Sequence, residues 1–171
     1  MTADQFSIST EREALCGFLD KQRADLLRKI RGVSDVDARR TPTASSLSLL
    51  GLLKHSALWE RRWFQVIVAG RVLPGEWPEP EDRDWDAEDF RVGEQDTVQH
   101  WTAYFEEQAA TSREITAGLE LDAPCGRADL MDRNLRWVLL HMIEETARHA
   151  GHADIIRESI DGSTGIYQVV S

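Results

Sequence analysis

Hydrophobic residues recur along most of the chain three or four positions apart, the spacing that lines up side chains on one face of an α-helix. The pattern predicts four long helices, at about residues 10–31, 46–69, 96–117 and 134–161. Their ends carry helix signals: Thr10 with Glu13 has the capping-box spacing, Asn134 is a favourable N-cap, and Gly162 is a favourable stop. Four such helices joined by one long connection predict an all-α four-helix bundle, which we expect to form a single domain over residues 1–171.

The connection between the second and third helices, residues 71–94, breaks this periodic pattern. It holds three prolines within seven residues and an acidic run, and it carries the aromatic residues Trp77, Trp85 and Phe90. Connections of this length are uncommon in compact domains and are often used for function or association. The plainer interpretation is a crossover that covers the open end of the bundle.

The net charge of the chain argues against two classes of binding partner. The 171 residues include 20 Lys and Arg against 30 Asp and Glu, a net charge of −10. Binding to nucleic acid or to an anionic membrane needs a basic surface, so we expect neither partner. The chain has no stretch of about 18 apolar residues and no signal-peptide pattern at its start, which favours a cytoplasmic protein. Cys16 and Cys125 have no CxxC spacing and are expected to be ordinary thiols.

The fourth predicted helix carries ionisable residues on the face that its apolar residues mark as buried. When successive residues are placed about 100° apart around the helix axis, ionisable and apolar residues fall in the same sector. Its ionisable members are His141, Glu145, Arg148, His149 and His152, and its apolar members are Trp137, Val138, Ile155 and Ile156. Burying charge is strongly unfavourable unless the charge is paired or bound to a metal. The row therefore indicates a functional site.

Residue spacing along this helix suits metal coordination. Side chains three or four residues apart project together, as in the pairs His141 with Glu145, Glu145 with His149, and His149 with His152. A facing helix of a bundle can add a ligand, and His55 is the candidate in the second helix. Three protein ligands with open positions are typical of a catalytic zinc site. The alternative is a hydrogen-bonded network of His, Glu and Arg in the core, without an ion.

Two runs of the sequence resemble a known family. Residues 48–64 (SLLGLLKHSALWERRWF) resemble the second helix of the actinobacterial branch of the DinB-like superfamily, and residues 135–154 (LRWVLLHMIEETARHAGHAD) are similar to its last helix. The likeness extends over about residues 11–162. This superfamily includes mycothiol-dependent maleylpyruvate isomerase and bacillithiol transferases, and its members are four-helix bundles with a divalent metal, often dimeric. The resemblance thus implies a metal-binding homodimer.

The resemblance also implies the ligands. The metal-binding histidine of the family's second helix falls on His55, and its last metal-binding histidine falls on His149, two residues before Gly151. The ligand four residues before the last histidine is His in many members and Glu in the maleylpyruvate isomerase branch, and here it is Glu145. His55, Glu145 and His149 are therefore implied to hold Zn²⁺ or Ni²⁺. His152, where many members have Gln, is either an alternative ligand or a hydrogen-bond donor beside the ligands.

The implied function is that of a metal-dependent thiol S-transferase or isomerase acting on a small-molecule electrophile. A metal-bound low-molecular-weight thiol such as mycothiol loses its proton, and the thiolate is the attacking nucleophile. Arg148 is expected to orient an anionic substrate group, or else to pair with Glu144 or Glu145, while His141 and His152 relay protons. Three alternatives stay open: a metal-dependent hydrolase, a metal- or ligand-binding bundle without catalysis, and a structural dimer.

Two further expectations concern packing. Glu60, five residues after His55, is expected at the surface beside nearby arginines, with support of a metal ligand as the alternative. Four of the six tryptophans are predicted to face the interior around the site, namely Trp59, Trp63, Trp101 and Trp137.

Overall fold

The computed structural model describes residues 10–73, 77–78 and 84–164, and within them the chain is built from helices. In chain order they are α1 (Glu11–Ile30), α2 (Asp35–Ala38), α3 (Leu49–Arg61), α4 (Trp85–Phe90), α5 (Val98–Ala117) and α6 (Leu135–Asp161). A π-helical segment, Arg62–Val68, continues α3. Within the described ranges, none of these helices combines the length and the apolar character that a membrane span requires.

The predicted all-α bundle is confirmed. Its long members are α1, α3 with the π segment, α5 and α6, and each begins and ends within three residues of the predicted bounds. The most extensive packing joins α1 to α6 and α3 to α5, while α3 also meets α6. This arrangement brings the second and last helices of the sequence pattern face to face, which is what a shared metal site requires.

Capping residues fix where the long helices begin. The Thr10 side chain accepts a hydrogen bond from the Glu13 backbone amide, and the Glu13 carboxylate accepts one from the Thr10 amide at 2.9 Å. Ser48 and Asn134 accept in the same way from the amides of the third helical residues that follow them. Such caps are worth about 1 kcal/mol each because they satisfy amide donors that the helix leaves unpaired. At the other end of α6, Gly162 has a φ of 76°, which favours glycine.

The second predicted helix differs from an uninterrupted α-helix. Its α-helical part ends at Arg61, and the following π segment makes wider turns, as in the bond from the Ala69 amide to the Phe64 carbonyl at 2.9 Å. The loop before α6 pairs with the end of this segment, where the Gly126 amide donates to the Val68 carbonyl at 3.0 Å. A Cβ on Gly126 would lie 2.8 Å from a backbone nitrogen of this turn, so only glycine fits there. Segments of π-helix are frequently found at functional sites.

Part of the long connection folds as α4. The Asp84 side chain caps it by accepting from the Ala87 amide at 3.0 Å. The end of α4 lies directly on α3, since a Cβ on Gly51 would be 2.8 Å from the Phe90 carbonyl oxygen. The connection therefore covers α3 at close range. The remainder of the predicted proline-rich stretch, at 74–76 and 79–83, lies outside the described residues.

The predicted surface position of Glu60 is wrong. Its side chain is fully buried, and its carboxylate pairs with the guanidinium of Arg23 on α1. The Arg23 guanidinium is also buried, and it donates a further hydrogen bond to Asp20 at 2.7 Å. Sequence spacing placed arginines of the same helix nearest to Glu60, whereas the partner comes from a different helix.

Candidate metal centre

The three predicted ligands line one small cavity between α3 and α6. His55 comes from α3, while Glu145 and His149 come from adjacent turns of α6. The cavity has a volume of about 10 Å³, which is the scale of a single water or ion, and Trp59 and Met142 are among its other walls. The rings of His55 and His149 are 4.8 Å apart at their centroids, and His149 Nε2 is 3.5 Å from the Glu145 carboxylate. The structure thus places these three side chains around one cavity, although among the described residues their donor atoms do not come as close together as those of His141, Glu144 and Glu145.

Both histidines of this cavity are neutral and have nitrogen atoms without a hydrogen-bond partner. Burial is the main cause that lowers the pKa of His55 to about 3 and that of His149 to about 4, with the charges of neighbouring groups adding to it. His55 Nδ1 and both ring nitrogens of His149 are buried and accept or donate no hydrogen bond among the described residues. Neutral imidazole is the form that binds metals, so two neutral imidazoles beside a carboxylate fit a divalent ion.

A second group of donors shares Glu145. Within the described part of the chain, donor atoms of His141, Glu144 and Glu145 all lie within 4.8 Å of one another. This group is more exposed than the cavity: Glu144 lies at the surface, and His141 and Glu145 are half-buried. Burial lowers the pKa of His141, and the charges of Glu145 and Glu144 act against that shift. Glu145 therefore stands between a buried histidine pair and an outer donor set.

The other predicted site residues lie at the edge of this arrangement. Arg148 is 52% exposed and pairs with Glu144 and, at 3.3 Å, with Glu145. His152 is half-buried, its ring is 6.0 Å from that of His149, and its Nδ1 has no hydrogen-bond partner within the described ranges. Their roles in orienting substrate or relaying protons stay predictions.

The buried face of α6 is rotated from the predicted one. Ile155, expected inside, is 59% exposed, whereas Leu139 and Met142 are buried. The reason is that α6 packs mainly on α1, where Leu139 and Leu19 line one cavity, so the buried arc lies roughly a quarter turn beyond the predicted sector. His149 falls within the buried arc, and Arg148 falls outside it.

Sequence reasoning missed two residues of α4 that contact His55. The Phe90 ring stacks on the His55 ring with centroids 4.1 Å apart. Asp89 is 2% exposed, and its carboxylate lies 3.9 Å from His55 Nδ1. The same carboxylate forms a two-pronged ion pair with Arg62, the first residue of the π segment. Asp89 belongs to an acidic run that looks solvated, and only the aromatic residue next to it signalled packing.

The tryptophans divide between two places. Trp59 lies 5.2 Å from His55 between ring centroids, and Trp63 and Trp137 are at 4.4 and 5.1 Å from the His141 ring. Trp101 lies elsewhere: its indole NH donates to Asp96, and it lines a separate cavity of about 610 Å³. Three of the four predicted tryptophans thus surround the histidines of the site.

Comparisons with known proteins agree with this architecture. A family model described as Mycothiol-S-transferase matches residues 14–162. No curated protein sequence gives a significant match. Among solved structures, a conserved protein of Enterococcus faecalis is similar, with a TM-score of 0.63 and 16% sequence identity over 91% of this chain and 100% of that one. At this identity the likeness concerns the fold alone.

Proposed function

Because the chain belongs to the mycothiol S-transferase family, we propose that it joins a low-molecular-weight thiol, with mycothiol the first candidate, through its sulfur to a small electrophile with the help of a divalent metal. His55, Glu145 and His149 would hold the ion. The observation that carries the proposal is that two buried, neutral histidines line one cavity with Glu145, whose carboxylate is 3.5 Å from the unpartnered Nε2 of His149.

The residues of the site have different roles in the proposed reaction. A bound Zn²⁺ or Ni²⁺ ion would supply the means to deprotonate a coordinating thiol. His55 and His149 offer lone pairs because their lowered pKa values keep them neutral at pH 7. Phe90 and Trp59 pack against His55 and would limit the access of water to it. His152 would accept the thiol proton, because its Nδ1 has no hydrogen-bond partner within the described ranges and its ring is 6.0 Å from that of His149.

Metal content tests the ligand assignment. Purified full-length protein, loaded with Zn²⁺ and dialysed, is expected to hold about one equivalent by elemental analysis, and His149→Ala well under half of that. His100→Ala is the matched control, because His100 is an exposed histidine of α5, and it should keep the wild-type content. Wild-type protein that holds no stoichiometric metal would refute the proposal.

Thiol consumption tests the chemistry. The metal-loaded protein is incubated with an aryl halide electrophile and, in turn, mycothiol, bacillithiol, glutathione and coenzyme A. We expect thioether formation with mycothiol by wild type and His100→Ala, and none by His149→Ala. Bound metal without any thiol reaction would favour a binding protein, and turnover with water alone would favour a hydrolase. The homodimer implied by the resemblance stays a prediction, which light scattering in solution would test.

A further inference from the structure

We propose that Asp89 is a positioning residue for His55: its carboxylate accepts a hydrogen bond from His55 Nδ1 when the ion is bound, and Arg62 holds the carboxylate in place. The inference rests on the proposed function, since it concerns how His55 is oriented as a ligand. It assigns a role at the site to α4, which the sequence pattern treated as part of a connection.

The first step of the argument is the position of the carboxylate. Asp89 is 2% exposed, His55 5% and Arg62 7%, so a charged carboxylate lies beside an imidazole in a dry environment. Burying a carboxylate is unfavourable unless it is paired and hydrogen-bonded. Arg62 supplies the pairing, with Nη2 donating to Asp89 Oδ1 at 2.9 Å and Nη1 donating to Oδ2.

The second step is the missing hydrogen-bond partner of His55 Nδ1 among the described residues. Its Nδ1 is buried and has no hydrogen-bond partner among the described residues, and Asp89 Oδ2 is 3.9 Å away. That separation exceeds a hydrogen bond by roughly 1 Å. A displacement of about 1 Å of one side chain toward the other would close the gap. A carboxylate oxygen has two lone pairs, so Oδ2 can accept from His55 as well as from Arg62.

The third step is the chemistry of metal-bound histidine. A ligating imidazole almost always donates its other ring NH to a carboxylate, a carbonyl or water, which fixes the tautomer and raises the basicity of the ligating nitrogen. With Nδ1 donating to Asp89, Nε2 of His55 is the nitrogen left for the ion. Phe90, stacked on the ring at 4.1 Å, limits rotation of the imidazole about its Cβ–Cγ bond and so keeps Nδ1 on the side of Asp89.

The fourth step is how α4 reaches the site. Because Gly51 has no side chain, the end of α4 lies against α3, with the Phe90 carbonyl oxygen 2.8 Å from where a Cβ would be. This contact and the Arg62 pair fix Asp89 from two sides. The same short segment therefore delivers both the ring that stacks on His55 and the carboxylate that faces its Nδ1.

The test compares Asp89→Asn with wild type in full-length protein. Zn²⁺ affinity, measured by competition with a chromophoric chelator, is expected to fall about 10- to 100-fold in Asp89→Asn. Glu88→Gln makes the same chemical change one residue earlier on α4 and should stay within about threefold of wild type. Affinity of Asp89→Asn within that same range would overturn the inference.

A second measurement separates positioning from folding. In the Zn²⁺-loaded wild type, NMR is expected to show a protected, downfield proton on His55 Nδ1, and this resonance should disappear in Asp89→Asn. If Asp89→Asn fails to fold, the double variant Arg62→Gln with Asp89→Asn removes both charges together and should lack the same proton. A proton that persists in the folded variant, or its absence from wild type, overturns the inference.

The outcomes distinguish this inference from the proposed function. If wild type binds Zn²⁺ through His149 but does not depend on Asp89, only the positioning role falls. If wild type binds no metal at all, the proposed function falls and the positioning role falls with it.

Discussion

Two buried arginine–carboxylate pairs each have one member on the second long helix, at positions two residues apart. They differ in the helices that they join. Arg23 and Glu60 join α1 to α3, and Arg62 and Asp89 join the π segment to α4. Each of the four residues is at most 7% exposed. The two pairs thus match in residue type and in burial, but they join the second long helix to different helices.

The difference lies in the surroundings of each pair. Arg23 also lies over the Phe64 ring, at 5.7 Å from its centroid, and Asp20 accepts a further bond from it, so this pair belongs to the packed interior. Asp89 faces His55 instead. One pair holds two long helices together, whereas the other holds a short helix against the candidate site. The same interaction thus serves stability in one place and ligand geometry in the other.

The largest predicted effect is on the interior pair. Glu60→Gln removes the carboxylate and leaves Arg23 buried without its main charge partner, so the free energy of unfolding should fall by about 3–5 kcal/mol. Urea denaturation of the metal-free protein measures this change. A loss below about 1 kcal/mol would mean that the interior pair has no greater effect than a surface pair.

Acid should destabilise the folded protein through the two buried histidines of the site. The pKa values of His55 and His149 are lowered to about 3 and 4 in the folded protein. The unfolded chain therefore binds more protons below about pH 6.5, and stability is lost as the pH falls from there toward 4, by up to about 1.4 kcal/mol per pH unit for each histidine. Urea denaturation at pH 7, 6 and 5 with chelator present measures the slope.

His55→Gln is the control for this pH dependence. It removes one of the two titrating groups and should make the slope shallower, while an exposed histidine changed in the same way, His100→Gln, should leave it unaltered. An equal slope in wild type and His55→Gln would show that the loss of stability comes from other groups.

Displacing α4 should affect the site more than the fold. In Gly51→Ala the new Cβ would meet the Phe90 carbonyl oxygen at 2.8 Å, so the end of α4 must shift. Overpacking of this kind costs about 1–3 kcal/mol, and the better helix propensity of alanine offsets up to about 1 kcal/mol of it. We expect a net loss near 1 kcal/mol with weaker Zn²⁺ binding, measured by denaturation and by chelator competition. Gly17→Ala, where a Cβ meets nothing within 4 Å, is the matched control.

The smallest predicted effect concerns an exposed pair on α6. Arg148 and Glu144 are 52% and 62% exposed, so Glu144→Gln should change the free energy of unfolding by less than about 1 kcal/mol. Thermal unfolding measures it beside Glu60→Gln. If Glu144→Gln lowered the free energy of unfolding as much as Glu60→Gln, buried and exposed pairs would not differ in their effect on stability.

Sequence alone predicted the helices and the meeting of His55, Glu145 and His149, because both follow from local spacing and from a recognisable motif. It did not predict the roles of Glu60 and Asp89. The partner of Glu60 is Arg23, which lies 37 residues earlier in the chain, and Asp89 reaches His55 only once α4 has packed on α3. Long-range pairs of this kind leave no periodic signal in the sequence.

The π segment and the rotation of α6 escaped prediction for a related reason. The π segment ends against a later loop, whose Gly126 amide donates to the Val68 carbonyl. The exposure of Ile155 depends on which neighbour α6 packs against most. In both cases the tertiary arrangement decides between local structures that the sequence pattern allows equally.

The interior pair also constrains how this chain can change over evolutionary time. Replacing both members of a buried ion pair with apolar residues of similar volume is often neutral or stabilising, but removing either one alone leaves an uncompensated charge. Simultaneous replacement of Arg23 and Glu60 is therefore expected to preserve stability, whereas replacement of one before the other passes through a destabilised protein. Single substitutions at either position should be rare in viable variants, and the two positions are expected to change in concert.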